Sequence, residues 1–272
     1  MSARPPNFHQ NVTIITGASM GIGRELAYQF ADQGAWLTLG ARSAQLLEDV
    51  ARECERRGAR AIAVPTDVTD QDRCKNLIAQ TVQTYGRIDT LVNNAGVSMT
   101  ARFDEVQDLA HYDRIMRTNY LGGVYCTHAA LPHLKDARGR LVAISSLAGR
   151  TGVPLCSAYC ASKHALVGFF EAVRIEVEPQ GVSVTLILPD FVATGIHERD
   201  VDAQGNTLGG THNIDYKRAM ATETCVRIAV NAIAKRKRQV LMSRRGQIGQ
   251  WIKLLAPRVI DRMARRAMER GG

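Results

Sequence analysis

Seven short runs of apolar and β-branched residues recur along the chain, each separated from the next by a longer stretch with helical spacing. That alternation restricts the fold more than any other feature. Strands that read as unbroken apolar runs must be covered on both faces, and crossovers of helical length join them in parallel. The runs are Val12 to Thr16, Trp36 to Gly40, Ala61 to Val64, Thr90 to Asn93, Leu141 to Ser145, Val182 to Leu188 and Gln239 to Met242. Between the third and fourth, Cys74, Leu77, Ile78, Thr81, Val82 and Tyr85 repeat at three and four, so one helix face is apolar. Thr69 is the expected N-cap of that helix and Gly86 its C-terminal stop. Leu166, Phe169, Phe170, Val173 and Val177 mark a second helix, ended by Pro179 and Gly181. The expected fold class is α/β, a doubly wound parallel sheet of seven strands in one domain over residues 1–242, followed by an extension over 243–272.

Chemistry concentrates in Ser146 to Lys163, SLAGRTGVPLCSAYCASK. With Ala158 onward helical, Tyr159 and Lys163 lie one turn apart on the same face. An ammonium beside a phenol favours the phenolate, bringing a group of pKa about 10 toward working pH, where it can give and take a proton. Ser146 follows an apolar run, at the carboxyl end of an expected strand where open α/β sheets bind ligands. By itself a tyrosine four residues before a lysine is usually a solvated helix face.

At the amino-terminal side, the first strand runs into TGASMGIG, with glycines at 17, 21 and 23, and then into a helical pattern. Glycines there let the backbone approach a pyrophosphate, and the free N–H groups of a helix start favour that anion. The second strand ends in LGARS. An enzyme selecting NAD needs an acid there for the ribose 2′-hydroxyl, and one selecting NADP a cation for the 2′-phosphate. Ala41 is neither, whereas Arg42 and Ser43 offer a guanidinium fork and a hydroxyl. NADP(H) is the expected cofactor.

TGASMGIG, NNAG (Asn93 to Gly96), Asn119 in NYLGG and the Ser146–Tyr159–Lys163 set occur in an order and at intervals that resemble the short-chain dehydrogenase/reductase family over residues 11 to about 242. SSLAG followed by AYCASKHALVGFF looks most like its hydroxysteroid dehydrogenase-like branch. The resemblance implies a Rossmann-type sheet and a hydride transfer between a nicotinamide and a carbonyl or alcohol. It implies roles for Gly17, Ser19, Gly21, Ile22 and Gly23 at the cofactor, with Asp67 and Val68 at the adenine. Asn93, Ala95 and Gly96 would line the adenosine ribose, and Pro189, Val192 and Thr194 the nicotinamide. Tyr159 would be the acid or base, Ser146 would hold the substrate oxygen, and Lys163 would bind the nicotinamide ribose while acidifying Tyr159. Asn119 would hold a water in a proton relay. Asp190 departs from the pattern, standing where the family usually has glycine. The resemblance also implies a homodimer or homotetramer packed through the helix of Tyr159.

The charge places a further question at the end of the chain. Residues 235–272 hold 12 of the 35 Lys/Arg and 2 of the 26 Asp/Glu, so the rest carries 23 basic against 24 acidic groups and is neutral overall. That distribution speaks against a nucleic-acid-binding core. Ile248, Trp251, Ile252, Leu255, Val259, Ile260, Met263 and Ala267 recur at helical spacing among the arginines, with Pro257 expected to divide the stretch into two helices. Such a stripe suits an anionic membrane surface, or packing on the domain or a partner subunit. No apolar run reaches the ~18 residues of a spanning helix and MSARPPNFHQ has no apolar core, so a cytoplasmic protein is expected, peripherally membrane-associated through its tail. The scattered cysteines and histidines suggest neither disulfides nor a metal site. Residues 195 to 220, polar and glycine-rich, are expected to form a mobile lid over the substrate. Two alternatives stand beside a carbonyl reductase acting on a lipophilic substrate: a 3-oxoacyl-carrier-protein reductase, and a nucleotide-binding regulator without catalysis.

Overall fold

A computed structural model describes residues 8–194, 201–209 and 219–271. Seven strands form one all-parallel sheet: β1 (Val12–Thr16), β2 (Trp36–Ala41), β3 (Arg60–Pro65), β4 (Thr90–Asn93), β5 (Arg140–Ile144), β6 (Ser183–Leu188) and β7 (Gln239–Leu241), ordered β3-β2-β1-β4-β5-β6-β7. The order reverses beside β1, which pairs with β2 on one side and β4 on the other. A crevice opens at the carboxyl ends of strands at such a point. This is the doubly wound, Rossmann-type sheet expected from the sequence, and its strand bounds differ from the expected ones by a residue or so at each end.

Helices cover both faces. α1 (Gly21–Ala31), α2 (Ala44–Arg56) and α7 (Thr222–Ala234) pack on one face, and α3 (Gln71–Tyr85), α5 (Gly122–Asp136) and α6 (Ser157–Val177) on the other. Strand alternation divides the core between them. Ile15, Leu37, Leu39 and Val92 point to the first face, while Ile14, Leu91 and Leu141 point to the second, and all are fully buried. α4 (Ala110–Met116) runs into α5 through a π-helical turn, Arg117–Leu121.

One local expectation is refined. The N-cap of α3 is Asp70, whose carboxylate accepts from the N–H groups of Asp72 and Arg73 at 2.9 and 3.1 Å. Thr69 is taken instead by Asp67, which accepts from its N–H at 3.0 Å and its hydroxyl at 2.8 Å. Gly86 does end α3 in the left-handed region, with φ of 76°. Beyond β7 come α8 (Arg244–Leu255) and α9 (Pro257–Gly271), the break falling at Pro257 because proline suits a first helical position and not an interior. No helix among the described residues is long and apolar enough to cross a membrane.

Candidate active site

A cleft of about 1350 Å³ runs along the carboxyl ends of β1, β2, β4, β5 and β6. A single small ligand usually occupies roughly 300–1,000 Å³, so this cleft has room for a dinucleotide and a second molecule. Most residues singled out from the sequence line it: Gly17, Ser19, Gly21, Ile22, Arg42, Ser43, Asp67, Val68, Ala95 and Gly96 toward one end, Ser146, Tyr159, Lys163, Pro189, Val192 and Thr194 toward the other.

The turn after β1 is built for close approach. Gly17 has φ of 66°, and a Cβ added there would stand 2.8 Å from Ala95 Cα. At Gly23 an added Cβ would come within 2.2 Å of the Gly17 carbonyl oxygen, so only glycine lets α1 start this near the turn. Asn94 braces the arrangement, its side-chain amide donating to the carbonyls of Thr16 and Gly17 at 2.9 and 3.2 Å. The Thr16 hydroxyl accepts from the N–H groups of Asn94 and Ala95 at 3.0 and 3.1 Å. α1 begins without a side-chain cap and without an acid in its first turn. Its leading N–H groups are therefore available to an anion in the cleft.

At the end of β2, Arg42 and Ser43 are exposed on the cleft wall, and the Ser43 hydroxyl makes no cap bond although it precedes α2. The Asp67 carboxyl faces them. Burial acts to raise its pKa, but the Thr69 bonds and the Arg42 and Arg73 charges outweigh that and hold it below the usual carboxylate value. The rim thus presents a guanidinium and a free hydroxyl, the donor set a phosphate takes. Together with the uncapped helix start and the glycine cradle, these residues fit a dinucleotide bearing a 2′-phosphate.

At the other end, α6 brings Tyr159 and Lys163 together, with the Lys163 Nζ 5.6 Å from the centre of the tyrosine ring. Lys163 is only 3% exposed, and its Nζ donates to the Ile144 carbonyl at 2.9 Å. Burial pulls its pKa from 10.5 down to about 8. Desolvation is the cause: the low-dielectric surroundings disfavour the charged form, and the neutral Ile144 carbonyl does not offset that. Ser146 is half-buried and its Oγ accepts from the Ala148 N–H at 3.1 Å, whereas Ser145 is buried and donates to the Lys163 carbonyl at 3.3 Å. Strand alternation separates the two serines, and Ser146 is the more accessible.

Three expected residues do not line the cleft. Asn93 is buried, with its amide donating to Thr127 Oγ1 at 3.1 Å on the α5 side, because the pleat turns it away from its neighbour Asn94. Gly23 lies behind the turn and serves the close packing described above. The Asn119 side chain is occupied: its Oδ1 accepts from the Val97 N–H at 2.8 Å, and its Nδ2 donates to the Val97 carbonyl and Ser162 Oγ, both at 2.9 Å. Its side-chain amide is thus engaged with Val97 and Ser162. An added Cβ at Gly96 would lie 3.4 Å from Asn119 Oδ1 and 3.6 Å from Lys163 Nζ, so Asn119 belongs to the packing immediately around the lysine.

Sequence reasoning missed the outer wall of the cleft. Gly246, Ile252, Lys253, Ile260 and Ala264, from α8 and α9, line it. The apolar spacing of the tail was the available signal, but spacing says that a face is covered and not by what. The stripe is in fact divided. Ile252 and Ile260 are half-buried toward the cleft, while Trp251 and Leu255 are 62% and 85% exposed on the outside. Of the expected lid, residues 195–200 and 210–218 lie outside the described residues. The described stretch 201–209 is hydrogen-bonded in place: Val201 accepts from the Thr100 N–H at 3.1 Å, and Ala203 from the Gln107 N–H at 3.3 Å.

Comparison with known proteins gives concordant results. Residues 11–205 match the family model described as short chain dehydrogenase. An 11-beta-hydroxysteroid dehydrogenase-like 4A protein of Arabidopsis thaliana is 36% identical over 253 residues, 92% of this chain and 82% of its own length. 11-beta-hydroxysteroid dehydrogenase A of Sesamum indicum is 34% identical over 255 residues, 92% of this chain and 73% of its own. An alcohol dehydrogenase from Thermococcus sibiricus, complexed with 5-hydroxy-NADP, superposes with a TM-score of 0.74 at 25% identity, covering 85% of this chain and 95% of that one.

Proposed function

Because the chain belongs to the short-chain dehydrogenase/reductase family, in its hydroxysteroid dehydrogenase-like branch, we propose that it interconverts a lipophilic ketone or aldehyde and the corresponding alcohol with NADP(H). When bound, the nicotinamide supplies or takes the hydride. The glycine turn and the first N–H groups of α1 hold the pyrophosphate, and Arg42 with Ser43 holds the 2′-phosphate. Val192 and Thr194 face the nicotinamide end, where Thr194 already lies over Gly21, 3.3 Å from its added Cβ position.

The observation that carries this reading is the juxtaposition of a buried lysine with a cleft-lining tyrosine, within one cavity that also holds Ser146. Ser146 donates to the carbonyl oxygen of the substrate. Tyr159 gives that oxygen a proton in reduction and takes it back in oxidation. Lys163, in its protonated form, favours the phenolate and binds the ribose. Asn119 is a positioning residue: by tying Val97 to Ser162 it keeps the segment after β4 against the helix that carries Tyr159 and Lys163. Mostly apolar residues line the outer part of the cleft, including Leu147, Val153, Ile252 and Ile260, which supports a lipophilic substrate over an acyl carrier with a charged arm.

The outward Trp251 and Leu255, flanked by arginines, support contact of the tail with an anionic lipid surface on the cytoplasmic side. Flotation with phosphatidylserine vesicles checks this, and equal flotation with and without residues 243–272 would end it. On α6 the exposed Ile175 supports assembly of two or four copies through that helix, which sedimentation equilibrium would measure.

The function itself is tested by Tyr159→Phe in the full chain. Reduction of a panel of ketones, followed at nicotinamide absorbance, should fall on the order of 10²- to 10⁴-fold while NADPH still quenches protein fluorescence. Undiminished reduction removes the proposed acid.

A further inference from the structure

The loop after β6 carries a carboxylate that no step above uses. Asp190 follows Pro189 on the cleft wall, and its side chain is 17% exposed. It accepts a hydrogen bond from Ser243 Oγ at 2.7 Å and an ion pair from Arg245 Nη2 at 3.0 Å. Ser243 is also the N-cap of α8, its Oγ accepting from the Gly246 N–H at 3.0 Å. Its single proton goes to Asp190, which leaves its lone pair for the helix, so one hydroxyl joins the nicotinamide-side loop to the tail. Three residues on, Gly246 lies so close to Leu147 that an added Cβ would stand 2.6 Å from Leu147 Cδ2. Leu147 is the neighbour of Ser146. At its far end α8 is held again, by Lys253 Nζ donating to the Arg150 carbonyl at 2.7 Å.

We propose that Asp190 is a positioning residue that fixes α8 as a wall of the substrate end of the cleft, and that this link sets the size of the carbonyl compound accepted. The proposal rests on the enzymatic reading above for what occupies that end. Apolar contacts alone do not fix the helix, because α8 has no fully buried residue. The polar bonds at its two ends therefore carry much of its placement. They are not equal in weight. Arg245 is 67% exposed, and a solvent-screened pair contributes little. The hydroxyl-to-carboxylate bond is partly buried and charge-assisted, which makes it the stronger of the two.

The test uses the full-length protein. Hydrogen–deuterium exchange of the α8 amides should quicken about tenfold in Asp190→Ala, change less in Asp190→Asn, which keeps an acceptor for Ser243, and change least in Arg245→Gln. Amides of β6 should not change. In parallel, the ratio of kcat/KM for a decalone to that for cyclohexanone should shift about tenfold in Asp190→Ala, through KM, with Asp190→Asn restoring most of the difference. Should Asp190→Ala fail to fold, Ser243→Ala is expected to act in the same direction. Unchanged α8 exchange overturns the link, and a loosened α8 with an unchanged substrate ratio overturns the specificity claim. If the wild type reduces no carbonyl, the enzymatic reading and the specificity claim fall together, and exchange alone then judges whether Asp190 holds the helix.

Discussion

The two ends of this cleft are held together by different physics. Around the glycine turn, backbone lies on backbone: Gly17, Gly23 and Asn94 interlock at distances that admit no side chain, above a core buried on both faces of the sheet. Around the tail, two helices with exposed outer faces are tied to the domain by polar bonds of Ser243, Arg245, Gln247 and Lys253, with Trp251 and Leu255 in solvent. The first end is rigid, because backbone cannot yield where it meets backbone. The second can be repositioned by single substitutions without disturbing the sheet, which suits a wall that selects among substrates.

Substitutions should separate the two regimes. Gly23→Ala is expected to be the most damaging, because the new Cβ would meet the Gly17 carbonyl at 2.2 Å and neither backbone can yield. A loss on the order of 3 kcal/mol or more in urea denaturation is expected, with NADPH binding lost as well. A cost under 1 kcal/mol would show that the turn is looser than its geometry implies.

Lys163→Met probes the buried charge at the catalytic end. The folded pKa of Lys163, about 8, lies below the ordinary lysine value of 10.5, so between those values the unfolded chain binds more protons than the folded one and wild-type stability rises with pH. Relative to the variant, the wild type should gain ~3 kcal/mol across that window, an advantage lost as pH falls through 8. A stability difference that stays flat from pH 7 to 10 would mean that the lysine is solvated or paired in solution.

Arg42→Ala should weaken NADPH binding by tenfold or more and leave NADH within about twofold, since a charged hydrogen bond to phosphate is worth ~1.5–3 kcal/mol and NADH has no phosphate there. Equal losses for both cofactors would sink the assignment of Arg42. Smallest of all, Trp251→Ala should change thermal stability by less than ~0.5 kcal/mol, as expected for an exposed side chain. A larger loss would mean that the tail is packed more like the glycine end than its exposure suggests.

Legibility followed the same division. Strand positions, the helix of Tyr159, the left-handed stop at Gly86 and the glycine turn could all be read from short stretches, because periodicity, glycine and proline act over a few residues. Asn93 and Asn94 illustrate the limit. Adjacent and identical, they face opposite sides of the sheet, one toward Thr127 and the other into the turn. Thr69 was a reasonable cap until Asp67 took its hydroxyl, a competition between two acids three residues apart that composition cannot settle.

By itself the sequence determined the doubly wound sheet, the glycine cradle and the one-turn spacing of Tyr159 and Lys163, since each depends on local sterics or on hydrophobic period. Only the tertiary structure decided that Lys163 is desolvated, that Asn119 spends its amide on Val97 and Ser162, and that Asp190 reaches Ser243 across 53 positions of chain. Burial and long-range hydrogen bonds depend on which segments the fold lays side by side, and no spacing within a single segment encodes that.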